Sequence, residues 1–411
     1  MKEINMIYSV FFSVFSRLGL LVLTFIAVKY LPTIEYGEFS YFLNILNTFI
    51  LIATAGCGVS TNIAFSKNYK SNESYCYNVL GFNVLVILIL SFFLWLFFLL
   101  FYFFVESSIS ITLIAILSFL LFVFSNINLL IESVYMGIGD FKQLALNSIL
   151  ILILTVSLSY FMISNYYIWG ALISYFGYKF ISFFLNMAKI RISCKKIKYN
   201  LNSVEGIVNF KEIGLPSLMS SLMVAPVISL SITIALMFTS YKEMAYFNWV
   251  YQIYLVAIFI PSTLGGFFLH KLSNSISTIN QTVKKLVLLN FFFSIAVVFI
   301  LFFLKKYILT YAGEDFIIHA SSVYNFMLLA VVFYSLNSVF SSVWPSFKKA
   351  WVGFFLNFIW AFSILIVTFL GSKHWGVDAL AIAFFSSYLI LFIVQFILYY
   401  FLKESLNKGL V

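Results

Sequence analysis

The chain has 411 residues, of which 63% are hydrophobic and only 9% are charged, and its formal net charge is +10. Globular domains usually carry roughly 25% charged residues, so this balance excludes a soluble protein and leaves no length for a large soluble domain. The positive charge does not indicate a nucleic-acid partner here. In a membrane protein, the distribution of basic residues between the loops on the two sides of the bilayer reflects the topology.

Apolar runs long enough to cross a bilayer, about 20 residues each, occur twelve times between polar breaks. No small-residue cleavage site follows the first run, so we expect it to stay in the mature protein as an anchor. An even number of spans places both termini on one side of the membrane. The predicted spans are 8–31, 39–64, 79–104, 109–136, 144–163, 166–187, 213–238, 244–269, 286–304, 316–343, 350–371 and 376–402.

The basic residues predict the orientation of these spans. With twelve spans, 17 of the 24 lysines and arginines fall on the side of the termini and 5 on the other, while Arg17 and Lys179 lie inside spans. Cytoplasmic loops retain an excess of lysine and arginine. We therefore expect a multi-pass protein with both termini in the cytoplasm.

A basic polar segment at 188–212 separates the sixth predicted span from the seventh. Its charge is typical of a cytoplasmic linker beside anionic lipid headgroups. The linker divides the chain into a predicted N-terminal lobe at 1–187 and a predicted C-terminal lobe at 213–411.

The two predicted lobes resemble each other weakly in sequence. Matching short stretches recur at offsets of 206 to 209 residues, as in Trp169-Gly170 and Trp375-Gly376. Transporters are often built from such repeats, with the substrate site at the repeat interface. The fold class predicted is an all-α polytopic membrane protein with twelve transmembrane helices in two pseudo-symmetric six-helix lobes around a central cavity.

The sequence lacks the patterns expected of an enzyme. Its histidines and cysteines have no metal-ligand spacing, and nucleotide-binding, metalloprotease and nucleophile-elbow motifs are absent. The longest predicted external loop, about 305–315, is short for a membrane enzyme that must hold a lipid-linked sugar. We therefore predict a protein with no catalytic residues, no bound metal and no cofactor.

Three ionisable residues lie inside predicted spans. Arg17 is about ten residues into the first span, where a charge costs at least ~3 kcal/mol and usually marks a cavity or a partner. Lys179 is nearer the cytoplasmic end of the sixth span, so its charge could also reach the surface along its apolar stem. Glu132 is about one turn from the end of the fourth span, which favours an interfacial position or a pairing with Lys179 or Lys142.

The interiors of the predicted spans contain two basic residues, Arg17 and Lys179, and one acidic residue, Glu132, which lies near a span end. This excess of positive charge predicts a cavity that binds an anion rather than a cation. The planar fork of arginine matches the oxygens of a phosphate group. Polar residues of the second, seventh and eighth spans are candidates to line the same cavity, although serine and asparagine also join helices within lipid. The candidate substrate-binding residues are Arg17, Lys179, Asn44, Asn47, Ser217, Ser221, Trp249 and Gln252.

Short motifs spread over nearly the whole chain carry a resemblance. They are Arg17 followed by Tyr30-Leu31-Pro32, Tyr36-Gly37-Glu38-Phe39-Ser40, Gly56-Cys57-Gly58, Gly214-Leu215-Pro216-Ser217, Pro261 and Trp375-Gly376-Val377. In these motifs the sequence resembles the polysaccharide transport family, the Wzx-type flippases of lipid-linked oligosaccharides. That family belongs to the MOP superfamily (multidrug/oligosaccharidyl-lipid/polysaccharide), together with the MATE multidrug exporters and the lipid II flippases.

The resemblance implies a MATE-like fold and a flippase of the bacterial inner membrane. Its substrate would be an undecaprenyl-pyrophosphate-linked repeat unit of O-antigen or capsule, moved from the cytoplasmic to the periplasmic leaflet by alternating access. A first-helix arginine is implicated in holding the pyrophosphate in lipid II flippases, and Arg17 fits that position. Besides this substrate and membrane lipids, the implied partners are a polysaccharide polymerase and a chain-length regulator. The chain departs from the family in having few further intramembrane bases, which favours a neutral glycan.

Two other functions stay open at this point. A cation-coupled multidrug exporter of the same superfamily would usually need more buried carboxylates. A membrane polysaccharide polymerase or ligase would usually need a larger external loop. Proton coupling, sodium coupling and uncoupled transport are all compatible with the sequence.

Overall fold

The computed structural model describes residues 2–54, 56–103, 111–190, 196–259, 261–262, 279–346 and 350–407. Within these residues every regular element is a helix, and eight helices are long and apolar enough to cross a membrane, or nine if the bent pair α2 and α3 is one span. The predicted all-α polytopic fold class is therefore confirmed. The helices are α1 (Lys2–Tyr30), α2 (Thr33–Thr54), α3 (Cys57–Asn68), α4 (Glu73–Phe103), α5 (Ile111–Ile138), α6 (Phe141–Ala188), α7 (Val204–Asn209), α8 (Leu215–Leu222), α9 (Ala225–Leu236), α10 (Tyr241–Ala257), α11 (Ile279–Ala312), α12 (Glu314–His319), α13 (Ser321–Ser346), α14 (Ala350–Trp375) and α15 (Asp378–Asn407), with a π-helical turn at Phe210–Gly214.

The helices form two compact units. The first comprises Met1–Pro32 and Glu38–Pro226, and the second comprises Thr33–Gly37 and Val227–Val411. The described part of the predicted linker, together with α8, therefore packs within the first unit, so the division by packing falls later in the chain than the lobe boundary expected from sequence.

The 48 residues of α6 form a helical hairpin. Tyr167 interrupts the helix with φ 49° and ψ −127°, a backbone conformation that is uncommon for a residue other than glycine. The side-chain amide of Asn147 donates to that of Asn186 at 2.8 Å, so the two arms run antiparallel. Gly170 lies against the carbonyl group of Met162, where a Cβ atom would overlap it. The two arms are the predicted fifth and sixth spans, whose junction was expected near Asn165.

The described part of the predicted linker is folded onto α3 and α4. Ser203 caps the N-terminus of α7 by accepting a hydrogen bond from the Gly206 amide. Glu205 accepts from the Asn78 side chain at 3.0 Å, and Lys196 forms an ion pair of 2.8 Å with Glu73. These contacts attach residues 196–214 to the first unit.

Glycines allow this segment to lie close to the membrane helices. A Cβ atom on Gly81 of α4 would overlap the Lys198 carbonyl, and one on Gly56 would overlap the Gly214 carbonyl. Gly56 also has φ 87° at the bend between α2 and α3, a conformation that glycine adopts at little cost. The Gly56-Cys57-Gly58 motif thus has a structural reason.

The second unit has an aromatic core built around α10. Ser240 caps this helix by accepting a hydrogen bond from the Glu243 amide. Lys242 at its first turn forms an ion pair of 3.2 Å with Asp315 of α12, and the hydrogen bond to Asp315 raises the pKa of Lys242. Further along, the ring of Tyr254 lies 5.9 Å from Phe384 of α15 and 6.2 Å from Tyr334 of α13. These edge-to-face contacts hold α10 against α13 and α15.

Candidate functional site

Arg17 is an exposed residue in the middle of α1. The hydroxyl-bearing residues of the same helix bond to their own backbone, with Ser13 donating to the Ser9 carbonyl at 2.9 Å and Thr24 donating to the Leu21 carbonyl at 2.7 Å. Such bonds satisfy serine and threonine within a span. The hydroxyls of Ser13 and Thr24 are therefore satisfied within α1, whereas Arg17 is exposed on the same helix.

Tyr178 fixes the level of Arg17 relative to the second arm of α6. The Tyr178 hydroxyl donates to the Ser16 carbonyl at 3.0 Å. Gly19 is buried beneath the same ring, where a Cβ atom would be only 3.0 Å from Tyr178 Cε2. Because Ser16 precedes Arg17 and Tyr178 precedes Lys179, the two basic residues lie at the same level along this helix pair.

Lys179 lies between aromatic rings. Its Nζ atom is 5.5 Å from the ring centroids of both Tyr175 and Tyr178, within the distance of a cation–π interaction. Tyr175 is fully buried, and its hydroxyl donates to Asn47 Oδ1 at 2.6 Å. The Lys179 side chain is half-buried, so its ammonium group is held within the first unit rather than extended along its surface.

Glu132 belongs to a buried polar network between α5 and α6. Its Oε1 atom accepts hydrogen bonds from Asn128 at 2.8 Å and from Asn186 at 3.4 Å. Asn128 also donates to Ser182 at 3.0 Å. Glu132 interacts electrostatically with Lys179, which is one of the two partners suggested by the sequence. The Glu132 carboxylate therefore interacts with Asn128, Asn186 and Lys179 of the same unit.

A small cavity adjoins this network. Its volume is about 20 Å³, close to the ~10–15 Å³ that one water molecule needs. Polar and apolar groups from α1, α5 and α6 surround it, so a water molecule there would find several hydrogen-bonding partners. Its lining includes Ser16, Glu132, Ser148, Tyr178, Ser182 and Asn186.

The other candidates in the first unit have different surroundings. Asn47 is the acceptor for Tyr175, and both Asn44 and Asn47 are half-buried. Ser217 and Ser221 on α8 donate to the carbonyls of Ile213 and Ser217, at 2.8 and 2.9 Å. Ser221 is exposed and Ser217 is half-buried. The structure therefore joins Lys179 and Asn47 through Tyr175, places Arg17 at the level of Lys179, and gives the two serines hydrogen bonds to carbonyls four residues earlier in the chain.

The two candidates in the second unit also differ from each other. Trp249 is fully buried, its Nε1 group donates to the Ile308 carbonyl at 3.3 Å, and its ring stacks on Tyr311 at 5.9 Å. Gln252 is half-buried. Trp249 therefore has the surroundings of a core residue, and Gln252 is the more accessible of the two.

Sequence reasoning missed most of the residues that surround Lys179 and Glu132. Tyr175, Tyr178, Ser182 and Asn186 are spaced by three and four residues, so they share a face of the second arm of α6. This spacing is visible in the sequence and could have predicted that these residues lie together on one polar face of the helix. Asn128 has the same spacing from Glu132 on α5. Among the described residues, no group of three or more His, Cys, Asp or Glu side chains could hold a metal ion.

The fold can be compared with known proteins. No protein-family model matches the sequence, and no curated protein matches it by sequence similarity. Solved structures do match over nearly the whole chain. An inward-facing multidrug resistance MATE family transporter of the MOP superfamily has a TM-score of 0.77 at 14% identity, covering 96% of each chain.

Two further structures agree with this similarity. An outward-facing MATE family transporter has a TM-score of 0.67 at 15% identity, covering 98% of this chain and 96% of its own. A MOP superfamily transporter from Pyrococcus furiosus, described as having a binding pocket of reverse polarity that suggests a different function, has a TM-score of 0.70 at 16% identity over 97% and 96% of the chains. The protein therefore has the fold of the MATE transporters of the MOP superfamily.

Proposed function

We propose that this protein is a membrane transporter that flips an undecaprenyl-pyrophosphate-linked oligosaccharide, a repeat unit of O-antigen or capsule. It would move this lipid from the cytoplasmic to the periplasmic leaflet of a bacterial inner membrane by alternating access. The fold of the MATE transporters supports the transporter part of the proposal. The observation that carries the substrate part is Arg17, a basic residue that is exposed in the middle of an apolar span.

The position of Arg17 favours an anionic ligand. An arginine facing hydrocarbon would cost several kcal/mol, so an arginine inside a span usually faces the protein interior or an aqueous cavity and marks a functional site. Its five N–H donors form a planar fork that binds two phosphate oxygens at once. A pyrophosphate linked to a lipid offers such oxygens at membrane depth.

The charges near Arg17 support the same choice. Lys179 provides a second basic residue at the same level of the α1 and α6 pair, and its Nζ atom lies within cation–π distance of two tyrosine rings. Glu132 carries the opposing charge. Arg17, Lys179 and Glu132 together have a net positive charge, which attracts an anion rather than a cation.

A multidrug exporter is the second candidate function. The names of two similar structures identify multidrug resistance transporters, and the half-buried Glu132 is a carboxylate of the kind that cation-coupled exporters use. The description of the Pyrococcus furiosus transporter indicates that this fold also occurs with a pocket of reverse polarity.

The test is complementation of a strain whose own copy of this gene is deleted. The unmodified chain should restore surface polysaccharide. Arg17→Ala should reduce it at least tenfold at equal membrane expression, because the pyrophosphate loses its bidentate partner, and Arg17→Lys should give an intermediate level. Lys142→Ala is the matched control, since Lys142 is an exposed base at the start of α6 and should behave as wild type.

Two results would contradict the proposal. Normal surface polysaccharide in the Arg17→Ala strain would remove the substrate assignment. Lower intracellular accumulation of cationic drugs on expression, with no change in surface polysaccharide after deletion, would establish the exporter instead.

A further inference from the structure

A groove on the second unit combines a long apolar wall with one polar end. It has a volume of about 410 Å³ and is formed mainly by α11 and α15. From it we infer a binding site for one anionic glycerophospholipid, with an acyl chain along the apolar wall and the phosphate at Lys284. The inference does not depend on the transported substrate and goes beyond the proposed function.

The apolar part of the groove is preformed. Val283 and Phe340 at its floor are buried in a core cluster, and Val287 and Phe392 pack against that cluster. A floor fixed by core packing does not have to be ordered when a ligand binds, which lowers the cost of binding. The volume lies within the ~300–1,000 Å³ typical of sites that hold a small molecule.

The rim of the groove is exposed and apolar. Leu288 is 45% exposed and Phe396 is 54% exposed, and both lie within helices long and apolar enough to cross the bilayer. An exposed apolar surface at the depth of a span favours contact with hydrocarbon, so lipids are the molecules expected there. An acyl chain is the natural occupant of the apolar part.

The polar end distinguishes this groove from an ordinary lipid-facing surface. Tyr399 donates its hydroxyl hydrogen to Asn280 Oδ1 at 2.6 Å, which orients the Asn280 amide so that its N–H groups are the donors of this end. Lys284 lines the same end and is exposed. An ammonium group attracts the phosphate of an anionic lipid, and amide N–H groups can donate to the glycerol ester carbonyls.

The direction of the helices places this polar end at one leaflet. Asn280 is near the N-terminus of α11 and Tyr399 is near the C-terminus of α15, so the two helices run antiparallel with their polar groups together. On the orientation predicted from the basic residues this is the cytoplasmic side, where anionic phospholipids concentrate. Tyr399 and Tyr400 also suit the headgroup level, where tyrosine is enriched.

A glycerophospholipid fits better than a polyprenyl phosphate. Both carry an anionic phosphate for Lys284, but only the glycerophospholipid carries ester carbonyls next to it that accept hydrogen bonds from Asn280. A zwitterionic phospholipid has those esters but no net charge to match Lys284. The anionic glycerophospholipid satisfies both groups at the polar end.

The experiment is native mass spectrometry of the purified full-length protein with added phosphatidylglycerol, phosphatidylcholine or undecaprenyl phosphate. Lys284→Gln should lower the bound fraction of phosphatidylglycerol about fivefold, as expected for one basic residue at an anionic lipid. Lys285→Gln is the matched control, because Lys285 is the adjacent exposed lysine and does not line the groove. Its binding should equal that of wild type.

A second pair of variants tests the apolar wall. Leu288→Gln should also lower phosphatidylglycerol binding, whereas Leu289→Gln should not, since Leu289 is 55% exposed and lies outside the groove lining. Both changes are at exposed positions, so folding should be kept and can be checked by the unfolding temperature.

Three outcomes would overturn the inference. They are equal losses in the Lys284 and Lys285 variants, equal binding of phosphatidylcholine and phosphatidylglycerol to wild type, and displacement of phosphatidylglycerol by an equimolar amount of undecaprenyl phosphate. The last would assign the groove to a polyprenyl lipid. All are measured on the isolated protein, so they are independent of the complementation result for Arg17.

Discussion

Asn186 holds the buried network of the first unit together, and its removal makes a quantitative prediction. Its side chain is 2% exposed. It donates to Asn128 Oδ1 at 2.9 Å and to Glu132 Oε1 at 3.4 Å, and it accepts from Asn147 Nδ2 at 2.8 Å. Asn186→Ala removes all three bonds. Two of them join the second arm of α6 to α5, and the third joins it to the first arm of α6.

The size of the effect follows from these contacts. A side-chain hydrogen bond between membrane helices contributes about 0.6 kcal/mol on average and up to ~1.7 kcal/mol. Three such bonds give an expected loss of about 2 kcal/mol in the free energy of unfolding. The loss should also loosen the arm that carries Lys179.

The measurement is reversible unfolding of the purified protein in mixed detergent micelles, followed by circular dichroism. A double-mutant cycle with Asn128→Ala isolates one bond, and its coupling energy should lie between about 0.5 and 1.7 kcal/mol. Asn165→Ala is the control, since Asn165 is exposed and donates only to the Phe161 carbonyl and Ser164 of its own helix. That variant should unfold within ~0.5 kcal/mol of wild type.

The reasoning would be refuted by a loss below ~0.5 kcal/mol for Asn186→Ala, within the range of neutral surface changes. It would also be refuted by equal losses in the Asn186 and Asn165 variants, because the effect would then belong to any asparagine of this hairpin. A coupling energy near zero would exclude a direct bond between Asn128 and Asn186.

Two further predictions concern packing. Gly81→Ala should release the segment around Lys198 from α4, because the new methyl group would overlap the Lys198 carbonyl, and trypsin should then cleave after Lys198 several-fold faster. Gly353→Ala is the control and should leave the cleavage rate unchanged, because Gly353 has open space around it. Equal cleavage rates in the two variants would contradict the packing. Trp249→Ala should lower the free energy of unfolding by about 3 kcal/mol or more, because it empties a core site. Trp375→Ala should lower it by less than ~1 kcal/mol, since Trp375 is 56% exposed. A small loss for Trp249→Ala would instead favour a role of Trp249 as a substrate contact.

The helices and their approximate order could be predicted from the sequence because hydropathy is a local property. A run of about 20 apolar residues must be helical in lipid, where every backbone polar group needs a partner within its own segment. The junction expected near Asn165 therefore lies beside the break at Tyr167. The same argument identified Arg17, since a charge inside an apolar run is visible without knowing its neighbours.

The surroundings of the polar residues could not be predicted in this way. Glu132 was expected at the membrane surface or paired with Lys179 or Lys142, yet it also accepts a hydrogen bond from Asn186 on the second arm of α6, 54 residues later. Asn47 meets Tyr175 from a distance of 128 residues. A polar residue in an apolar run fits a cavity wall and a helix contact equally well, and the facing helix decides between them.

The segment 188–212 shows the same limit at the level of architecture. Its basic composition predicted a solvated linker, whereas Lys196 and Glu205 bind side chains of α4 and Asn209 accepts a hydrogen bond from Ser60 of α3. The attachment depends on Gly56 and Gly81, which allow close backbone approach, and on pairs such as Asn78 with Glu205 that are far apart in sequence.

The sequence by itself determined that this protein is an all-helical membrane protein with an isolated arginine in its first span, because both facts depend on the transfer of single residues between water and lipid. Only the tertiary structure decided that Arg17 is exposed at the level of Lys179, that Trp249 is buried in the second unit, and that a groove lies beside Lys284. Those facts depend on which helix faces meet, and packing between distant parts of the chain sets that choice.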